Sequence, residues 1–76
     1  MKKSVENILA LLRKGIPVIL QSDDFRFSEL SEFARISSSA ETDITLVVGD
    51  NLNFAEVMEL CNISHGHIHI DLSSRT

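Results

Sequence analysis

The chain has no tryptophan, no tyrosine, a single cysteine and a single proline. Each shortage closes off a class of protein. One thiol cannot form an internal disulfide, so Cys61 leaves the fold to rest on its core alone and points to a reducing compartment. It falls in an apolar helical pattern, where a buried, inert thiol is expected. Four phenylalanines are the whole aromatic content, too few for the stacking platforms of single-strand nucleic-acid binders. The net charge of −4 also argues against a phosphate-backbone partner. Long apolar runs are missing too: no stretch approaches the roughly 18 residues that cross a bilayer. Lys2 and Lys3 precede a short apolar run with no small-residue cleavage site after it, which reads as a helix and not a signal peptide. Together these features predict a cytoplasmic chain with neither nucleic acid nor membrane as partner.

What is present is patterned. Val5, Ile8, Leu9 and Leu12 recur at helical spacing over 4–14, with Ser4 as N-cap, and Arg13-Lys14-Gly15 followed by Pro17 marks a helix stop. The run 17–21 is short, apolar and β-branched, a strand with Pro17 at its start. A polar turn follows over 22–26. Residues 28–37 predict a second helix, with Ser28 as cap, and 37–43 a serine-rich loop. Residues 44–48, Ile-Thr-Leu-Val-Val, form the clearest strand. Gly49, Asp50 and Asn51 then turn the chain, and Asn53 with Glu56 matches a capping box ahead of a third helix. Residues 64–66 break that helix, and 67–72 alternate polar and apolar as a last strand.

The most informative feature is a duplication. Asp23-Asp24-Phe25-Arg26-Phe27-Ser28 aligns with Asp50-Asn51-Leu52-Asn53-Phe54-Ala55 at a spacing of 27, and Leu30, Phe33, Ala34, Ile36 and Ser37 continue onto Val57, Leu60, Cys61, Ile63 and Ser64. The third strand arrives three residues early, so Ile44, Leu46 and Val48 match Ile68, Ile70 and Leu72. The single domain 1–76 thus divides into an N-terminal helix (1–15), repeat 1 (17–43), repeat 2 (44–66) and a closing strand (67–72). In repeat length and strand–helix alternation, about 50 residues resemble leucine-rich repeats. Ile44-Thr45-Leu46-Val47-Val48 departs from the L-x-x-L-x-L spacing of that family, so membership is not inferred.

Strands alternating with helices imply an α/β fold with a parallel sheet. Parallel crossovers are right-handed, so a strand order of 1-2-3 puts both crossover helices on one face and 2-1-3 puts them on opposite faces. A strand covered on both faces is apolar throughout. The last strand is apolar at Ile68, Ile70 and Leu72 but polar at His67, His69 and Asp71. The prediction is therefore a three-stranded parallel sheet in order 1-2-3, helices mainly on one face. Val18, Ile19 and Leu20 run against it, and the first helix or a second subunit is expected to cover the other face there.

Two groups of residues bear on function. His67, His69 and Asp71 share one face of a strand, and two imidazoles with a carboxylate are a zinc-type ligand set. Asp23, Asp24 and Asp50 follow the C-terminal ends of strands, where ligands of α/β sheets bind, although Asp is also an ordinary turn residue. No Gly-rich phosphate loop and no nucleophile–base pairing with local support accompanies them, which weighs against an enzyme. The favoured expectation is a small protein-binding module of adaptor, immunity or regulatory type, or one that self-associates. It would use the open sheet face or edge, with His67, His69, Asp71, Thr45, Asp23 and Asp50 as partner-binding residues and no cofactor. The alternative is a zinc-dependent enzyme or metal-binding protein using His67, His69 and Asp71.

Overall fold

A computed structural model of the chain describes residues 5–73. The Ser4 cap and the two N-terminal lysines lie outside them. The elements run α1 (Val5–Arg13), β1 (Val18–Gln21), a short 3-10 turn (Ser22–Asp24), α2 (Phe27–Ala40), β2 (Ile44–Val47), α3 (Phe54–Ser64) and β3 (Ile68–Asp71).

The three strands form one open parallel sheet in the order β1-β2-β3. Val18 pairs with Ile44 and Ile44 with Ile68; Leu20 pairs with Leu46 and Leu46 with Ile70. Right-handed crossovers in that order leave the helices on one side. Helix α1 packs on α2, and α2 on α3. The core lies between helix layer and sheet. Ile8 and Leu12 of α1, Leu30, Phe33 and Ala34 of α2, and Val57 and Leu60 of α3 meet Leu20, Ile44, Leu46 and Ile68. Phe25, just before α2, meets Phe33 edge-on with ring centroids 5.1 Å apart, a favoured aromatic geometry.

Each strand is one or two residues shorter than the sequence reading, and both ends of α2 differ from it as well. The serine-rich segment expected as a loop continues α2 as far as Ala40. Ser37 is fully buried and donates its hydroxyl hydrogen bond to the Ala34 carbonyl at 2.8 Å. Its polarity is thus absorbed within the helix, and the turn is delayed to Glu41, which takes the left-handed conformation at φ 54°. At the other end, Ser28 is inside the helix, and Arg26 holds the cap position. The Glu29 carboxylate accepts the Arg26 N–H at 2.8 Å, so the acidic side chain in the first turn defines the start. Helix α3 begins as its sequence indicates: Asn53 Oδ1 accepts the Glu56 N–H and Glu56 Oε1 accepts the Asn53 N–H.

The repeat is visible in the buried polar groups. Ser64, the counterpart of Ser37, is also fully buried and donates to the Cys61 carbonyl at 3.1 Å. Its Oγ further accepts the Ile68 N–H at 3.2 Å, tying α3 to β3. Thr42, 2% exposed, donates to the Leu12 carbonyl at 2.7 Å and so closes the end of α1 from 30 residues away. No buried side-chain nitrogen or oxygen lacks a partner among the described residues.

Candidate functional site

The sheet has one covered face and one open face. Because side chains alternate along a strand, the register fixes who shares the open side. Ile19, Thr45 and His69 form one row across the three strands, and Gln21, Val47 and Asp71 form the next. Ile19 is 71% exposed, so α1 does not cover this side of β1. Helix α1 joins the other helices on the core side instead, where Ile8 and Leu12 are buried. The apolar character of β1 on both faces therefore leaves Ile19 uncovered by any described element of the chain.

At the N-terminal end of this face three side chains converge. Asp43 directly precedes β2 and lies across from His67, one step beyond the Ile44–Ile68 pair. His67 Nδ1 donates to Asp43 Oδ1 at 3.1 Å, and His69 Nε2 lies 3.5 Å from Asp43 Oδ2. The hydrogen bond from His67 holds the Asp43 carboxyl below its ordinary value. Partial desolvation opposes this, and the neighbouring His69 adds to the lowering. The two imidazoles, His67 just before β3 and His69 on it, thus share the carboxylate of Asp43, which directly precedes the neighbouring strand.

Asp71 turns elsewhere. Its Oδ1 accepts the Ser73 N–H at 2.8 Å, and hydrogen bonding to Ser73 lowers the Asp71 carboxyl as well. His67 and His69 therefore come together with Asp43 and not with Asp71. Among the described residues no three His, Cys, Asp or Glu side chains group so as to hold a metal ion. His65 is separate again: it caps α3 in the left-handed conformation, and its Nδ1 lies 2.7 Å from Ser38 Oγ on α2.

The acidic turns sit at the opposite, C-terminal end of the sheet. Asp23 and Asp50 are exposed and Asp24 half-exposed. The Asp23 carboxylate lies over Gly49, so closely that a Cβ there would collide with it. The turns are joined by a polar clasp. Ser22 is fully buried. Its Oγ accepts the Gly49 N–H at 2.7 Å and donates to Asn51 Oδ1 at 2.7 Å, while Asn51 Nδ2 donates to the Ser22 carbonyl at 2.8 Å. Asn51 therefore cements the second turn to the first. Asn51 thus joins the two repeats, Asp23 packs over the second turn, and Asp50 is exposed within it.

Of the residues singled out from sequence, Thr45, His69 and Asp71 share the open face, His67 flanks it through Asp43, and Asp23 and Asp50 lie at its far end. Sequence reasoning passed over Asp43, Ile19, Gln21 and Val47. The alternation of β1 and β2 contains the signal for the last three, once the covered face is known. Cys61 is partly exposed, packed at the margin of the core. Comparison with known proteins returns no matching family model, no matching curated protein and no matching solved structure.

Proposed function

We propose that the chain is a small protein-binding module, of adaptor, immunity or regulatory kind, that engages another protein across the open face of its sheet. One observation carries this reading: Ile19, 71% exposed, stands in a row with Thr45 and His69 on a face that no described element covers. An exposed apolar residue bordered by polar groups suits a protein contact patch. Val47 adds a second aliphatic group beside Ile19, and Gln21, Thr45 and His69 supply hydrogen-bonding groups. Asp43 and Asp71, both held toward the ionised form, give the patch a negative border. A partner of matching chemistry carries an aliphatic side chain flanked by Lys or Arg. Such charge matching speeds encounter and fixes orientation.

The test compares capture by three forms of the protein under identical conditions. Ile19→Asp removes the most exposed apolar side chain of the face, on edge strand β1. Glu59→Lys alters the charge of an exposed site on α3, away from this face. Proteins held by the wild type and by Glu59→Lys but lost with Ile19→Asp support the proposal. Partners held equally by all three, with circular dichroism showing an intact Ile19→Asp fold, overturn it.

A further inference from the structure

The duplication gives each position of α2 from Phe27 to Ser37 a counterpart on α3, so the neighbours of one can be compared with those of the other. Phe27 opens α2 and is half-buried against the core. Its counterpart Phe54 opens α3 and is 71% exposed. Where α2 carries the half-buried Ser31, α3 carries Met58, 46% exposed. Phe54 and Met58 are four residues apart and so lie on one side of the helix. Leu72, just beyond β3, is 53% exposed. Among the described residues strand β3 pairs only with β2; on its other edge the Ile68 N–H is taken by Ser64 Oγ, but no further strand continues the sheet.

The opposite end of the sheet is complementary. Among the described residues strand β1 likewise pairs on one side alone, and the α1–β1 segment that ends the sheet carries Leu11 and Ile16 as exposed apolar residues. The charges match as well. Among the described residues, 5–14 hold Arg13 and Lys14 against Glu6, whereas Phe54 to Ser73 hold Glu56, Glu59 and Asp71 with no Lys or Arg.

We propose that copies of this chain associate head to tail. The α3–β3 end of one copy receives the α1–β1 end of the next, which extends the parallel sheet and covers Phe54 and Met58. The occupant is a second copy because its first helix and strand offer what that end lacks: a strand to continue β3, a helix with exposed aliphatic residues to lie beside α3, and positive charge against carboxylates. Such an interface is heterologous, joining two different surfaces, so it propagates beyond two copies. It uses the ends of the sheet and leaves the open face free, so it stands apart from the partner-binding proposal.

The experiment is sedimentation equilibrium over micromolar to millimolar protein, at low and high salt, with two variants. Phe54→Asp disables the α3–β3 end at an exposed position, and Leu11→Glu disables the other end while keeping a good helix former. Circular dichroism checks that each variant folds. The expected results are a mass that climbs past two copies with concentration and an association weakened by salt. Each variant alone should associate at least about tenfold more weakly, as for loss of a central interface residue. Mixing the two variants is decisive. Each keeps one intact end, so the mixture forms a one-to-one dimer that grows no further. A wild type that stays monomeric throughout overturns the proposal. So does a mass that stops at two copies, or a mixture no more associated than its components; either of those signs would indicate a symmetric edge-to-edge dimer.

Discussion

Replacing Ser22 with alanine should cost far more than deleting one surface hydroxyl. The Oγ is fully buried and makes two bonds, accepting from the Gly49 N–H and donating to Asn51 Oδ1, each at 2.7 Å. Its loss strands the Gly49 N–H, a buried donor whose replacement by water needs more room than one oxygen leaves. An orphaned buried donor costs about 1–3 kcal/mol. The Asn51 amide is on an exposed residue, so water replaces its lost contact at small cost. We expect about 2 kcal/mol of destabilisation in Ser22→Ala. For a domain of this size each kcal/mol moves the midpoint by roughly 4–8 °C, so Tm should fall by about 8–16 °C. Urea unfolding should show a lower midpoint at unchanged slope. Ser28→Ala, at an exposed position in the first turn of α2, should stay within about 0.5 kcal/mol of wild type. Asn51→Ala should cost about 1 kcal/mol alone, and the double variant less than the sum, because the two side chains share a network. A Ser22→Ala loss below about 0.5 kcal/mol, or strict additivity with Asn51→Ala, would refute the view that this clasp joins the repeats.

Acid should act on the sheet through Asp43. Its carboxyl is lowered in the folded state by His67 and His69, so it contributes stability above its unfolded value near 3.8 that is lost as pH falls through the folded value. Asp43→Asn should flatten the stability curve below about pH 4, and carboxyl NMR should place the Asp43 midpoint below that of an unfolded reference peptide; an unshifted midpoint would contradict the contact. Backbone geometry supplies a further pair of tests. Gly66 has φ 87°, so Gly66→Ala should destabilise by about 1–2 kcal/mol, whereas Glu41→Gly should relieve a left-handed residue and stabilise by up to about 1 kcal/mol in urea titrations. The opposite sign for either would mean that the turn conformations differ from those described.

The strand order was legible because β3 alternates. Ile68 and Ile70 against His67, His69 and Asp71 could not be covered on both faces, and that alone separated 1-2-3 from 2-1-3. The correspondence of Ile44 and Leu46 with Ile68 and Ile70 became actual pairing across the sheet. The extent of α2 was not legible, because serines favour loops by competing for backbone hydrogen bonds, and only burial shows Ser37 making that bond without ending the helix. The partner of the two histidines was hidden for another reason. Alternation along β3 places His67, His69 and Asp71 together, but only register across strands brings in Asp43. The clasp of Ser22 and Asn51 was out of reach in the same way: its members lie 29 residues apart, and each looks like an ordinary turn residue alone.

Strand β2 opens repeat 2 but serves both halves of the sheet, pairing along its whole length with β1 on one side and β3 on the other. Val18 meets Ile44, and Ile44 meets Ile68, across intervals of roughly two dozen residues in each case, so the entropy of closing the two crossovers is nearly equal. Neither half can complete a sheet without borrowing that strand. A chain with visible twofold internal similarity is therefore not divisible into two independent halves, and opening either repeat strips one side of the strand on which the other depends. Loss of structure should be all-or-none, with the β2 amides exchanging slowest and at the rate of global unfolding.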